Sequence, residues 1–436
     1  MNAAGLEHGY REKRWSSWAV PLDFAWALAG NLASSASQWL SIVLLARLGS
    51  PDLVGQYALA LAVTSPIFLL AGCNLRTIQA TDVPAATSWS TYWAIRLLTS
   101  TLAALVTGVV VCWGSYSRTA THAILILAAA KFFDSLADTV YGQLQRCERM
   151  DRIAISMILR AVLSLAGLSA GLQLTLSAAA AAAGVLLASV LVLWLYDVPS
   201  LKLAIEPSVG AKFRLLPTGR AWMGQALSVM RLALPMGVLM ALVAVNAYLP
   251  RYWLARALGE HELGVFAAIS YISLAANLAI MALGQVLSSR LARLHVARES
   301  AGFRRWSLVL GLLAVLVGTV SVLVAWLWGE TVLEFLYGAP YRGFGSIFVC
   351  LMISGAFSYT ASACGYVLSS VRCFVPQIPL LIATTLTMMI AMSILVPRYG
   401  LTGAALAQAS GYALQTVLTL TVAVRIYREI SNLAPS

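Results

Sequence analysis

The chain of 436 residues is 60% hydrophobic and 11% charged, with a mean hydropathy of +0.82 and a formal net charge of +12. Soluble domains carry roughly 25% charged residues, so this composition excludes one, and apolar runs of about 20 residues recur from Phe24 to Tyr427, each long enough to cross the bilayer core as a helix. The runs are continuous and rich in Leu and Ala, without the short alternating segments of a closed barrel, which excludes a membrane β-barrel.

In chain order, a basic tail over 1–22 with Arg11, Lys13 and Arg14 precedes a first helix near 24–46. That apolar span is too long for the core of a signal peptide and is read as a retained helix. Helices follow near 56–75, 91–113, 121–145, 152–173 and 176–196, completing a first lobe over 23–196. The longest polar connection, 197–229, carries Lys202, Lys212, Arg214 and Arg220 and reads as a cytoplasmic basic linker. A second lobe over 230–428 holds helices near 230–255, 262–288, 305–328, 343–370, 374–396 and 401–427, before a tail at 429–436. The expected fold class is an all-α membrane protein of about twelve transmembrane helices in two six-helix lobes.

With the amino terminus taken as cytoplasmic, twenty Lys and Arg fall on that side and six on the other: Arg47, Arg118, Arg251, Arg256, Arg342 and Arg398. That bias places both termini in the cytoplasm. The net positive charge is thereby a topology signal with some attraction to anionic lipid headgroups, and requires no nucleic acid partner.

An internal repeat supports two lobes. Leu45, Ala46, Arg47, Gly55, Tyr57 and Ala58 match Leu254, Ala255, Arg256, Gly264, Phe266 and Ala267 without gaps, both sets at the turn after the first helix of a lobe. Parallel repeats of this kind place a transporter's substrate path at the lobe interface.

The six cysteines show no C-x-x-C spacing and read as apolar filler, so neither a metal nor a cofactor is expected. No Walker A sequence, H-E-x-x-H helix or G-x-S-x-G elbow occurs, and the far-side loops are short. No catalytic residue is assigned and no enzyme is expected.

Charges inside spans are costly and by default face a cavity or a partner. The second lobe shows none in its predicted membrane cores, whereas the first carries Arg96, Lys131, Asp134, Asp138 and Arg160. Lys131, Asp134, Asp138, Tyr141 and Gln145 follow steps of three and four and share one helix face. Such a stripe fits either an ion-pair network locking the lobe or a hydrated cavity where a carboxylate exchanges protons or binds a cation. Asp138 and Arg160 lie at similar depth and are expected to be within reach of one another, and Asp134 is one turn from Lys131. Arg76 and Arg96 fall near the cytoplasmic mouth, and an arginine fork suits phosphate. Asn31 and Gln38 give the first helix a polar middle, with Asn246 and Asn277 as the corresponding points of the second lobe; helix-to-helix hydrogen bonds are the alternative use of all four.

The stretch GNLASSASQWLSIVLLARLGSPDLVGQYALALAVTSPIFLLAGCNLRTIQATD, and within it Asn74 to Asp82, resembles the amino-terminal signature of the oligosaccharide flippases, the Wzx-type polysaccharide transporters of the multidrug/oligosaccharidyl-lipid/polysaccharide superfamily. The resemblance implies a V-shaped alternating-access fold. It implies secondary-active movement of an undecaprenyl pyrophosphate-linked oligosaccharide from the cytoplasmic to the periplasmic leaflet of a bacterial inner membrane, driven by H+ or Na+. It casts Arg76 and Arg96 on the anionic headgroup and Asp134 or Asp138 on ion coupling. The polar residues inside spans, Arg160, Lys131, Asn31, Gln38, Asn246 and Asn277, are the further substrate candidates. Membrane lipids and other polysaccharide assembly proteins are the implied partners. About twelve helices instead of the fourteen of lipid II flippases argue against a peptidoglycan precursor. A multidrug or cation antiporter of the same superfamily is the nearest alternative; a membrane-embedded glycan polymerase or glycosyltransferase is the next.

Overall fold

A computed structural model describes residues 19–82, 87–209, 217, 221–371, 373 and 376–432. Arg11, Lys13 and Arg14 of the amino-terminal tail, Lys212, Arg214 and Arg220 of the linker, and residues 433–436 lie outside the described residues.

The helices are α1 (Ala19–Leu48), α2 (Pro51–Gly72), the short α3 (Leu75–Thr81), α4 (Trp89–Trp113), α5 (Arg118–Arg146), α6 (Met150–Thr175), α7 (Ala178–Val192), α8 (Val198–Val209), α9 (Ala221–Ala257), α10 (Glu260–Val296), α11 (Ser300–Tyr337), α12 (Gly345–Ser370) and α13 (Gln377–Asn432). Ten stretches are long and apolar enough to cross a bilayer. One of them, α13, is two helices: Gly400, at φ 56°, breaks it just after Pro397. The polar α5 is long enough to span but is not among the ten. Counting both arms of α13 and adding α5 gives the expected twelve.

Local chemistry sets many of the ends. Ser50, Ser88, Ser117 and Ser177 cap α2, α4, α5 and α7, each side chain accepting a backbone N–H from the first turn. The polyalanine start of α7 lies against Gly167 and Gly171 of α6, and a methyl placed on Gly184 would come within 2.1 Å of the Gly167 carbonyl carbon. Small residues are what let two helices close to backbone contact where lipid gives no hydrophobic drive to pack. Both described ends of the stretch read as a linker are helical. A π-helical turn, Leu193–Asp197, prolongs α7 into α8, and α9 begins at Ala221, nine residues before the predicted start.

Helices α1, α2 and α4 to α7 form one bundle and α9 to α13 the other, and α2 packs against both α9 and α10. The largest apolar cluster spans both bundles, joining Ile42, Leu45, Val54 and Leu127 to Leu254, Leu263, Phe266 and Met392. These residues cluster toward the end of the molecule that carries the α1–α2 and α9–α10 turns. Toward the other end the bundles hold separate clusters, one around Leu136, Val140 and Leu144, the other around Leu287, Leu291 and Phe303. There a small cluster of Cys73, Leu75, Tyr92, Val229 and Ala233 still ties α9 to α3 and α4. The lobes are thus fused at one end and parted at the other.

The fused end is built on the repeat. Gly55 of α2 and Gly264 of α10 cross at backbone contact: a methyl on Gly55 would come within 1.8 Å of the Glu260 carbonyl oxygen, and one on Gly264 within 1.7 Å of the Pro51 carbonyl oxygen. Pro51 and Glu260 occupy equivalent positions of the two repeats, as do Asp52 and His261, which pair across the seam at 3.1 Å. Glu260 also accepts from Gln56 Nε2 at 2.9 Å and from Ser117 Oγ at 2.5 Å. Arg47 donates to the Leu336 carbonyl at 3.0 Å and to that of Phe335.

Candidate functional site

Between the parted ends lies a cavity of about 730 Å³, lined mainly by the first lobe and completed by Met240, Tyr248 and Gln285 of the second. A second space of about 310 Å³ shares Gln38, Arg76, Lys131, Asp134, Asp138, Met157 and Tyr248 with it and reaches deeper between α5, α6 and α7. Asn31, Gln38, Arg76, Arg96, Lys131, Asp134 and Asp138 all border the larger space, and Arg160 borders the deeper one.

Two ionic clusters face this water-accessible space. In the first, Asp138 is shared by two arginines: Arg96 Nη2 at 2.9 Å and Arg76 Nη1 at 3.7 Å. The two differ in what else they hold. Arg96 is 2% exposed and also donates to the Gly72 carbonyl and Thr139 Oγ1, so its guanidinium is committed to the scaffold. Arg76 lies over the Tyr141 ring, donates from Nε to Gln145 Oε1 at 3.2 Å, and keeps 28% of its side chain exposed.

The backbone places Arg76 there. Cys73 and Asn74 both adopt left-handed conformations, φ 47° and 49°, which costs roughly 1–2 kcal/mol per residue for L-amino acids and swings the chain from α2 into α3. α3 then lies on α5 at Gly142, where a methyl would strike Gln79 Oε1 at 2.5 Å. Several other polar residues of the Asn74-to-Asp82 signature serve this corner. Asn74 Oδ1 accepts from Thr77, Gln79 donates to Gln143, and Asp82 accepts from Thr87 N and the Tyr92 hydroxyl.

In the second cluster Arg160 is held between Asp134 and Asp197, the latter at 3.0 Å and fully buried; Ser189 Oγ also donates to Asp134 at 2.8 Å. The expected reach between Asp138 and Arg160 is not used. α6 begins at Met150, two residues before its predicted start, so Arg160 lies deeper than expected, about 15 Å in and between the depths of Asp134 and Asp138, and its guanidinium pairs with Asp134. Asp197 was missed because it was read as the first linker residue. The π-helical turn carries α7 on past Val192 and brings that carboxylate to Arg160.

Nor does Lys131 neutralise Asp134, whose carboxylate is taken by Arg160. Lys131 has no carboxylate within ion-pair distance among the described residues. Four cations (Arg76, Arg96, Lys131 and Arg160) meet three carboxylates, and the geometry leaves the surplus positive charge on Lys131.

Two corrections concern the second lobe. Asn246 does not face the cavity: it is 2% exposed, donates to the Leu381 carbonyl and accepts from Thr385 Oγ1 at 2.6 Å, which ties α9 to α13. Arg251, assigned to the far side, is buried at 6% exposure between the rings of Tyr248 and Tyr271, so the second lobe does hold an intramembrane charge. α9 runs on to Ala257, and the aromatic faces replace the water the guanidinium was expected to need. Asn277 lines a separate small space beside Arg251. Among the described residues no cluster of His, Cys, Asp and Glu has the geometry to hold a metal ion.

Membrane-length helices in two bundles around an ionised space define a multi-pass membrane protein. Solved structures with this fold include an inward-facing multidrug resistance MATE family transporter of the MOP superfamily, with TM-score 0.69, 15% identity and coverage of 94% of this chain and 96% of that one. An outward-facing MATE family structure matches with TM-score 0.58 at 15% identity, covering 95% of this chain and 97% of that one. The family model described as polysaccharide biosynthesis protein matches residues 22–212. A capsular polysaccharide biosynthesis protein CapF of Staphylococcus aureus is 24% identical over 392 residues, covering 88% of this chain and 94% of the relative. Residues 22–212 are thus similar to polysaccharide biosynthesis proteins, and the chain as a whole shares the fold of the MATE family structures.

Proposed function

We propose that the protein is a secondary-active flippase that carries an undecaprenyl pyrophosphate-linked oligosaccharide from the cytoplasmic to the periplasmic leaflet of the inner membrane. The observation that carries this reading is the cavity itself: a space of about 730 Å³ between two lobes, with an exposed guanidinium, Arg76, and an unpaired ammonium, Lys131, on its wall. Both suit a pyrophosphate, the arginine as a two-pronged donor and the lysine as a point charge. The bias of Lys and Arg supports cytoplasmic termini. In that orientation the parted ends face the cytoplasm, ready to receive a substrate made there, and the glycine crossing closes the periplasmic side.

Asp138 links substrate to ion. While ionised it holds Arg76; a proton or Na+ on the carboxylate weakens that hold and frees the arginine, and a pyrophosphate on Arg76 in turn leaves Asp138 to Arg96 alone. The MATE-like fold raises multidrug antiport as the rival, but a cavity with a surplus positive charge repels a cationic drug.

The test is depletion in living cells. Lipid-linked oligosaccharide is expected to accumulate on the cytoplasmic leaflet. Arg76→Ala is expected to remain inserted while surface glycan is lost. Normal surface glycan with that variant, or a depleted strain with normal lipid-linked intermediates, would overturn the assignment.

A further inference from the structure

The second lobe contains a pocket whose lining includes neither Arg76 nor Lys131. At its centre Arg251 is buried, its guanidinium 4.6 Å above the Tyr271 ring and 5.1 Å from that of Tyr248. Among the described residues no carboxylate comes within ion-pair distance of it. Taking a charge out of water without a counter-ion is expensive, and aromatic faces offset only part of that.

Beside the guanidinium is a space of about 120 Å³, lined also by Asn277 of α10, Ser354 of α12 and Gln408 of α13. Asn277 Oδ1, Ser354 Oγ and Gln408 Oε1 are all buried without a hydrogen-bond partner, and Ser354 is 1% exposed. Buried polar groups are nearly always satisfied. Three orphaned oxygens from three helices, converging beside an unneutralised cation, describe a site shaped for a ligand that brings both a negative charge and hydroxyl groups.

The chemistry narrows that ligand. A guanidinium fork matches a carboxylate, donating two parallel hydrogen bonds to its oxygens. Carboxamides and a serine hydroxyl match sugar hydroxyls, which donate and accept alike. Tyr248, Tyr359 and Tyr412 add flat walls. The volume equals that of roughly four water molecules at ~30 Å³ each, enough for one edge of one sugar ring.

We propose that this pocket binds an acidic sugar of the transported glycan, with its carboxylate on Arg251 and its hydroxyls on Asn277, Ser354 and Gln408. The inference rests on the glycan-carrier reading and divides the labour: the first lobe takes the phosphates and the second selects the sugar. Tyr248 lines both the central cavity and this pocket, so its ring stands between the two.

The experiment measures the thermal unfolding midpoint of the full-length protein in nanodiscs against sodium glucuronate, glucose and sodium acetate, at matched sodium concentration. Glucuronate is expected to raise the midpoint with an apparent affinity at least about tenfold above that for glucose, the scale of one charge-assisted hydrogen-bonded pair. Arg251→Gln is expected to abolish the preference. Asn277→Ala should weaken both sugars severalfold while retaining it, which keeps the proposal testable if Arg251→Gln does not fold. Equal responses to glucuronate and glucose, no response to either, or a preference that survives Arg251→Gln would each overturn the proposal. Acetate matching glucuronate would mark a site for free carboxylates and overturn the sugar assignment. A preference lost in Arg76→Ala but kept in Arg251→Gln would place the anion in the first lobe, with the same consequence. No lipid carrier and no flux enter this assay, so its failure is separate from failure of the flippase reading, which the leaflet measurement decides.

Discussion

Arg76 and Arg96 share Asp138, but only one of them is free to leave it. Arg96 would have to give up a carbonyl and a buried threonine hydroxyl; Arg76 gives up a 3.7 Å contact at the edge of the cavity. The two arginines looked alike in sequence because depth along a helix does not reveal how many acceptors surround a side chain. Lys131 was legible as part of a polar stripe, whereas its lack of a partner depends on Arg160 arriving from another helix. Lys131→Ala removes no ion pair and should leave the thermal unfolding midpoint unchanged. If a charge-assisted contact of about 1.5–3 kcal/mol to the headgroup is lost, affinity for lipid-linked substrate should fall roughly ten- to hundredfold, read from binding to vesicles that contain it. The Arg160 triad behaves oppositely. Arg160→Met leaves Asp197 buried and unpaired and should destabilise the protein by about 3–5 kcal/mol, the usual consequence of breaking a buried pair. Replacing Asp134 and Asp197 by Leu in the same chain should restore the unfolding midpoint. Transport that recovers with stability would assign the triad to scaffolding; transport that stays lost would assign Asp134 to coupling.

Among the elements, the crossing of α2 and α10 decides how tightly the fused end closes. The Asp52–His261 pair there is more than half exposed on both sides, and such pairs contribute little. What brings the helices together is the absence of side chains at Gly55 and Gly264. Gly55→Val or Gly264→Val should therefore hold the far end open and shift the protein toward its outward-open state. The check is the distance between spin labels placed across each mouth, in a background without the native cysteines: the far-side distance should lengthen and the cavity-side distance shorten. An unchanged distribution would show that the crossing does not govern closure. These glycines were visible as matching points of the repeat, but a repeat gives equivalence and not contact. That the equivalent residues touch is seen only in the folded chain, where Gly55 meets Glu260 and Gly264 meets Pro51. The helix ends show a similar limit. Serine caps and the Gly400 break were close to the expected boundaries, whereas the π-helical turn at Leu193–Asp197 has no sequence marker and moved a carboxylate from the linker into the core.

At the scale of the molecule, hydropathy made the fold class and the number of helices readable, because bilayer thickness fixes helix length. The asymmetry between the lobes was only half readable. The first lobe carries three carboxylates among its four cations, while the second carries a cation hidden between aromatic rings, an arrangement that a count of charged residues per span cannot separate from a snorkelling arginine. Alternation between the lobes requires the fused end to separate, and the pseudo-symmetric pair Asp52 and His261 gives direct access to that step. Their side chains meet across the seam, so Asp52→Cys with His261→Cys should form a cross-link under mild oxidation in the cavity-open state. With α2 and α10 tied at this seam, the oxidised protein should still admit substrate to the open cavity but deliver none to the opposite leaflet, and a reductant should restore delivery within the same vesicles. Binding that persists while delivery stops separates closure of the gate from damage to the site. Delivery that continues through the cross-linked form would mean that the lobes pass the substrate without parting here, and the rocking account of the fold would fail with it.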